Sequence, residues 1–415
     1  MFSPFRLAGL ELRNRVLKTA TYEGMVVDGL PSRSLVRHHV QLAAGGVAMT
    51  TVAYCAVSPN GRTFDSQMSM QERTVAPLRA LTDAVHAAGA AAMLQLGHCG
   101  GFSKSKALRG RRGPLGPSFG FNAYGVMVGK PFAYAMTERD MEQVVADFTR
   151  AALQARGAGF DAIELHLGHG YLLSQFISPH RNRRRDGWGG PVAQRMRFPL
   201  AVVDAVRAAL PHDFPLLAKI NLDDGVEGGM SLEDAVAQAR LLESHGLDAL
   251  VLSGGLVSHS AMQLLRGERP LAQMVEVEDN PLQKLAIAGF GRALIREVPF
   301  TPLFWLPLAR EVRKAVRLPL VLLGGITAPE HVDEALREGF ELVAMGRALL
   351  HDPGLVARWA AGDRAPSGCV PCNLCITEMD RPGGVICARK AEQIAQRDAE
   401  IRARDPWSAA GQARS

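Results

Sequence analysis

The sequence lacks any long apolar run: no stretch reaches the ~20 residues that a membrane-spanning helix needs. Its first residues, Met1 to Arg15, carry Arg6, Glu11, Arg13 and Arg15 and so lack the apolar core of a secretory signal. There is no HExxH zinc motif and no strand-linked GxGxxG, so no separate dinucleotide-binding domain is expected. No long basic tract is present either. The Arg181 to Arg185 segment is a short local bias, and the formal net charge of +6 is spread over 415 residues. A solvated surface accounts for that excess better than nucleic-acid binding. Together these absences predict a cytoplasmic protein with neither a membrane nor a nucleic-acid partner.

What is present fits an enzyme. Hydrophobic residues make up 47% and charged residues 21%, an ordinary soluble balance. Short aliphatic runs recur at Val16–Thr19, Val47–Val52, Ala92–Leu96, Ala162–Leu165, Leu216–Ile220, Ala249–Leu252, Leu320–Leu323 and Leu342–Met345. They are continuous rather than alternating, as strands buried on both faces are. Amphipathic stretches with helix start and stop signals separate them. Thr137 can cap a helix ending near Gly157 and Gly159, Ser231 one running to Gly246, and Pro329 opens one ending by Gly339. Eight strand–helix units in this length predict an α/β fold, a TIM (β/α)8 barrel. The barrel is expected over residues 1–360, with an extension over 361–415. Insertions at Gly100 to Ala135 and Gly255 to Pro302 follow the third and sixth strands and should form loops on the C-terminal face.

Two places carry chemistry. The seventh and eighth strands end in Gly324-Gly325 and Gly346-Arg347. Glycines let backbone N–H groups approach an anion, and an arginine adds a charged fork, so a phosphate site is expected there. One Gly-Gly alone would be an ordinary turn. The fourth strand runs into His166, His169 and Tyr171. If the loop turns helically, the two histidines face one way and can polarise a carbonyl, while Tyr171 can donate a proton. A hydrogen-bonded core histidine or a zinc pair is the alternative. His38, His39, His86, His331 and His351 lie in helical patterns and read as structural or surface residues. Among the six cysteines, Cys369, Cys372, Cys375 and Cys387 cluster, which in a cytosolic protein points to a metal or redox site more than to disulfides.

Several segments together resemble the Old Yellow Enzyme family of NADH:flavin oxidoreductases. They are Phe2-Ser-Pro-Phe-Arg-Leu, Gln95-Leu-Gly-His-Cys-Gly, Gly159-Phe-Asp-Ala-Ile-Glu-Leu-His-Leu-Gly-His-Gly-Tyr-Leu, Asn182-Arg-Arg-Arg-Asp-Gly-Trp-Gly-Gly, Leu323-Gly-Gly-Ile and Ala344-Met-Gly-Arg. The resemblance runs from about Phe2 to Trp359. It implies FMN over the barrel mouth and NADH or NADPH as the electron donor. Thr19, Ala20 and Thr21 would lie along the flavin, Gln95 at its pyrimidine edge, and Lys219 near N1, where the family usually has arginine. Gly324, Gly325, Gly346 and Arg347 would hold the phosphate. The implied reaction is ping-pong reduction of an electron-poor alkene, with Tyr171 as proton donor and His166 and His169 on the substrate carbonyl.

Three departures from the family pattern stand out. Ala20-Thr21-Tyr22-Glu23 replaces the usual Pro-Met region and so alters the pocket. Trp188 replaces a usual tyrosine, a packing change. The four-cysteine segment resembles the iron–sulfur segment of longer relatives, the dienoyl-CoA reductases and trimethylamine dehydrogenases, which have one more residue between the second and third cysteines. An iron–sulfur cluster or zinc is expected there, with four reduced cysteines in an ordinary extension as the alternative. His259 could reach the substrate as in those relatives, or equally be a surface loop residue. Two alternatives follow: an oxidative amine demethylase passing electrons through that cluster, and a flavin-free lyase or isomerase with Lys219 as a Schiff base. The expected partner is a small-molecule substrate, with a homo-oligomer left open.

Overall fold

The structure is a computed structural model that describes residues 1–108 and 113–402. Eight parallel strands form one closed barrel in sequence order. They are β1 (Val16–Lys18), β2 (Met49–Ala56), β3 (Ala91–Gly97), β4 (Ala162–Leu167), β5 (Leu216–Asn221), β6 (Ala249–Ser253), β7 (Leu320–Leu323) and β8 (Leu342–Met345). Each of the eight aliphatic runs is a barrel strand. Their residues are buried almost throughout because one face fills the interior and the other packs beneath helices.

Two apolar clusters follow from that geometry. Leu17, Met49, Met93, Leu217, Val251 and Val321 fill the interior. Leu7 and Leu12 join them from below, carried by an antiparallel hairpin of Phe5–Leu7 and Leu10–Leu12. The hairpin therefore floors the barrel and leaves only the C-terminal end open. The second cluster lies between strands and helices, with Val52, Leu94, Phe148, Ile163, Val203, Leu252 and Val332.

The expected helix signals operate. Thr137 caps Glu138–Gly157 in a reciprocal box with Asp140, and Ser231 caps Leu232–Ser244. Pro329 sits at the first turn of Pro329–Arg337. Trp188 packs as expected: it donates to Glu138 at 3.2 Å and lies under the Arg197 guanidinium.

Both insertions reach the open end. The first holds a small three-stranded sheet centred on Phe132–Ala135, and the second carries helices Ala261–Leu265, Leu271–Val277 and Pro281–Leu294. A third wall comes from the extension, where residues from Cys369 to Val385 border the same cavity. The last element among the described residues is helix Ala391–Arg402, whose Glu400 pairs with Arg37.

Candidate active site

A cavity of about 1090 Å³ opens at the C-terminal end of the barrel. His166, His169 and Tyr171 border it, together with Thr19, Ala20, Thr21, Gln95, Lys219, Gly324, Gly325, Gly346 and Arg347. All of these residues therefore face one space. Local backbone geometry explains how.

His166 belongs to β4 itself, so its ring points inward in register with Lys219 of β5. His169 arrives differently. It adopts φ 61°, a left-handed turn between Gly168 and Gly170. The helical loop expected from the spacing is thus absent, because the strand runs through His166 and the chain then reverses sharply. The two rings nonetheless meet, with centroids 5.0 Å apart. The turn is held by Asn221, whose Oδ1 accepts from the His169 N–H at 2.9 Å. A Cβ on Gly168 would come within 2.9 Å of that same oxygen, so the turn needs glycine there. Helix Leu172–Ile177 begins just after Tyr171 and fixes its position.

Burial holds both imidazoles well below their ordinary pKa, with smaller contributions from the neighbouring cation Lys219 and, for His166, from His169. They are neutral donors and acceptors at neutral pH. The Gly168 N–H points to His166 Nδ1 at 3.4 Å, which assigns the ring proton to Nε2 as a donor. His169 Nε2 lies 2.7 Å from the Ser253 hydroxyl at the end of β6. Tyr171 is pushed far above its ordinary pKa by burial and so keeps its proton. Its ring stands 4.5 Å from His166, 4.7 Å from Tyr54 and 5.3 Å from Phe102. Tyr54, which sequence reasoning missed, borders the cavity and is anchored through its hydroxyl to Thr63 at 2.8 Å.

On the neighbouring strand, Lys219 donates to the Thr19 hydroxyl at 3.0 Å and pairs with Glu164 at 3.2 Å. Gln95 donates to the same Glu164 at 2.6 Å. Glu164 was also missed, although its position was readable: it lies two residues before His166 on one strand, so both point inward.

The glycine ends have a double origin. Gly324 and Gly325 both have positive φ; a Cβ on Gly324 would collide with Trp305 and Phe304, and one on Gly325 with the Thr301 carbonyl and the Leu303 nitrogen that lead into that aromatic pair. Packing of that aromatic pair therefore requires them whatever they bind. Arg347 begins a short helix after Gly346, and its Nη1 donates to Asn373 and to the Arg266 carbonyl. Part of its fork is thus committed to the protein.

Three expectations about outlying residues change. His38 borders the cavity rather than serving only structure or surface, because helix Arg33–Ala44 packs beside the end of β1. His259 is absent from the cavity lining; it bonds Ser258 at 2.7 Å and stacks edge-on to His180. The cysteines Cys369, Cys372, Cys375 and Cys387 do gather around one small hollow beside Arg347. Yet among the described residues no group of three or more His, Cys, Asp or Glu side chains is arranged to hold a metal ion. All four are free thiols, and burial pushes Cys369 up to about 11 and Cys375 up to about 12. The iron–sulfur cluster or zinc expected at this segment is therefore not shown, although the four thiols line one hollow.

Comparison with known proteins agrees with this geometry. The sequence profile of the NADH:flavin oxidoreductase / NADH oxidase family matches residues 1–281. The 4,4'-dithiodibutanoate disulfide reductase of Rhodococcus erythropolis is 44% identical over 379 residues, covering 91% of this chain and 92% of that protein. The NADH oxidase of Thermoanaerobacter brockii is 30% identical across 90% of this chain, and the chain spans 53% of its length. Among solved structures, an old yellow enzyme homologue from Zymomonas mobilis superposes with a TM-score of 0.68 at 20% identity, covering 94% of this chain and 97% of that one. That likeness concerns the fold.

Proposed function

From the premise that the chain belongs to the NADH:flavin oxidoreductase / NADH oxidase family, and is an FMN-dependent NAD(P)H oxidoreductase, we propose that its reaction is the reduction of an activated, α,β-unsaturated alkene. The donor set of the cavity fits FMN in kind. Gln95 Oε1 accepts no hydrogen bond among the described residues and can take an imide N–H, because its amide nitrogen is committed to Glu164. Lys219 brings a cation to the same wall. Gly324, Gly325, Gly346 and Arg347 line the end suited to a phosphate. The volume, about 1090 Å³, leaves room for an acceptor beside the cofactor.

When bound, FMN supplies a site that takes a hydride from the nicotinamide and passes it to the acceptor. The protein supplies the rest. His166 Nε2 donates to the acceptor's carbonyl oxygen and draws electron density from the conjugated alkene. His169, steadied by Ser253, takes the second position on that oxygen. Tyr171 delivers a proton to the α-carbon as hydride reaches the β-carbon. The net change is one hydride from NAD(P)H and one proton from water, added across the C=C bond. The observation that carries this reading is the meeting of two neutral imidazoles and one protonated tyrosine within ring-contact distance.

A second reading is favoured by the Rhodococcus relative, whose name specifies a disulfide acceptor. There one hydride adds to one sulfur as the S–S bond breaks, giving a first thiol, and Tyr171 protonates the departing thiolate to give the second. Turnover assays on an enone and on a dialkyl disulfide decide between the two. The alkene reading expects enone reduction that falls roughly 10²–10⁴-fold in Tyr171→Phe, the usual size of a lost general acid. Disulfide turnover without enone turnover would replace it with the second reading.

A further inference from the structure

Glu164 is the least expected group at the barrel mouth. It is a carboxylate only 1% exposed, set among Leu217, Met93 and other interior apolar side chains. It does not border the cavity. It touches two residues that do: Gln95 Nε2 at 2.6 Å and Lys219 Nζ at 3.2 Å. Gln95 and Glu164 are register partners across β3 and β4, while His166 and Lys219 are partners across β4 and β5. The carboxylate therefore ties three adjacent strands at the level just below the cofactor space.

Two consequences follow from elementary chemistry. An amide can present either its oxygen or its nitrogen. A carboxylate accepts only, so it takes the Gln95 nitrogen and turns the oxygen toward the cavity. A buried cation also acts strongly on whatever lies beside it, and a carboxylate at 3.2 Å offsets much of that field. Lys219 alone would present a full positive charge; the pair presents far less.

We propose that Glu164 is a positioning residue that fixes the polarity of the Gln95 amide and, by offsetting Lys219, sets the reduction potential of the bound flavin. The inference rests on the FMN reading above. It assigns a residue outside the cavity to control of the cofactor inside it. Thr19, which accepts from Lys219 at 3.0 Å, holds the ammonium from its other side and is neutral, while Lys18, which also borders the cavity, has its own counter-ion in Glu23.

The test is a redox titration of purified holoprotein by visible absorbance against a reference dye, with FMN affinity measured by flavin fluorescence on reconstitution. Glu164→Gln removes the negative charge at constant shape. Its midpoint potential is expected to shift positive, because the cation then favours the more negative, reduced flavin. FMN affinity is expected to fall roughly tenfold or more, as for loss of one charge-assisted hydrogen bond. Lys219→Met should shift the potential negative. Glu164→Asp keeps the charge and should restore the potential while leaving affinity reduced, since the shorter side chain withdraws from Gln95. Should Glu164→Gln not fold, Lys219→Met and Glu164→Asp carry the same comparison. A Glu164→Gln potential equal to wild type, with FMN bound, overturns the proposal. A Glu164→Asp affinity equal to wild type overturns the amide role. A wild-type protein that binds no FMN overturns the FMN reading itself, and this inference with it.

Discussion

The ring of Tyr54 stands edge-on to that of Tyr171, with centroids 4.7 Å apart and planes at 66°. Beneath it, a Cβ on Gly97 would come within 2.7 Å of the Tyr54 ring, so only glycine leaves room for this arrangement. Strand β3 thus shapes the setting of Tyr171 through an intermediary. Gly97→Ala is expected to displace Tyr54, tilt Tyr171 and lower kcat for the acceptor, while reduction of the flavin by NAD(P)H changes little. Stopped-flow measurement of the two half-reactions checks this. Equal losses in both would show that the contact does not act through Tyr171.

His169 depends on Ser253. The 2.7 Å bond from its Nε2 is the side-chain hydrogen bond that steadies a ring carried on a left-handed turn. Ser253→Ala should raise KM for a carbonyl-bearing acceptor several-fold, roughly as expected for the ~1 kcal/mol of one hydrogen bond. Steady-state kinetics with the acceptor varied give the answer, and an unchanged KM would remove Ser253 from the site.

The end of β1 hides a buried ion pair. Lys18 bonds Glu23, and both side chains are 3% exposed. Glu23 lies 3.7 Å from His39, which in turn bonds Thr50 at 2.7 Å. Removing one partner leaves the other charge buried, so Glu23→Ala should cost about 3–5 kcal/mol of stability. Changing both, as Lys18→Met with Glu23→Leu, should cost much less. Urea unfolding of the three proteins measures the difference. Equal losses in the single and double variants would contradict a paired-charge account.

Acid should destabilise the fold in a definite window. Burial holds His98 down to about 4, and His39, His166 and His169 lie well below their ordinary value as well. Above about pH 6.5 these rings are neutral whether folded or unfolded, and their contribution is constant. As pH falls below that point the unfolded chain takes up protons that the folded chain refuses. Each such ring then subtracts stability at ~1.4 kcal/mol per pH unit until its folded pKa is reached. The Tm should therefore drop steadily from pH 6.5 toward pH 4.5. A flat Tm over that range would mean that these imidazoles are not held neutral.

The barrel was legible because strands buried on both faces leave unbroken aliphatic runs, as in Leu216–Asn221 and Leu342–Met345. The helix caps were legible because Thr137 and Ser231 act within one turn of their own sequence. His166, His169 and Tyr171 do meet in one cavity, but their route together was not legible, since a left-handed φ at a histidine leaves no periodic signal. Tyr54 and His38 escaped because nothing local says that a strand bulge after Val52 or a neighbouring helix will face the cavity. Glu164 could have been found from alternation with His166. The cysteine spacing was visible and the four thiols do line one hollow, but spacing alone does not fix whether they hold a metal; the extension also supplies a wall of the cavity.

The central claim is that this cavity binds FMN and passes electrons from a nicotinamide. The visible absorption spectrum of the purified protein, recorded before and after anaerobic addition of NADH and of NADPH, tests it most directly. The account predicts flavin bands that bleach with at least one donor and return when an enone is added. A protein without those bands, or bands that neither donor bleaches, would contradict it.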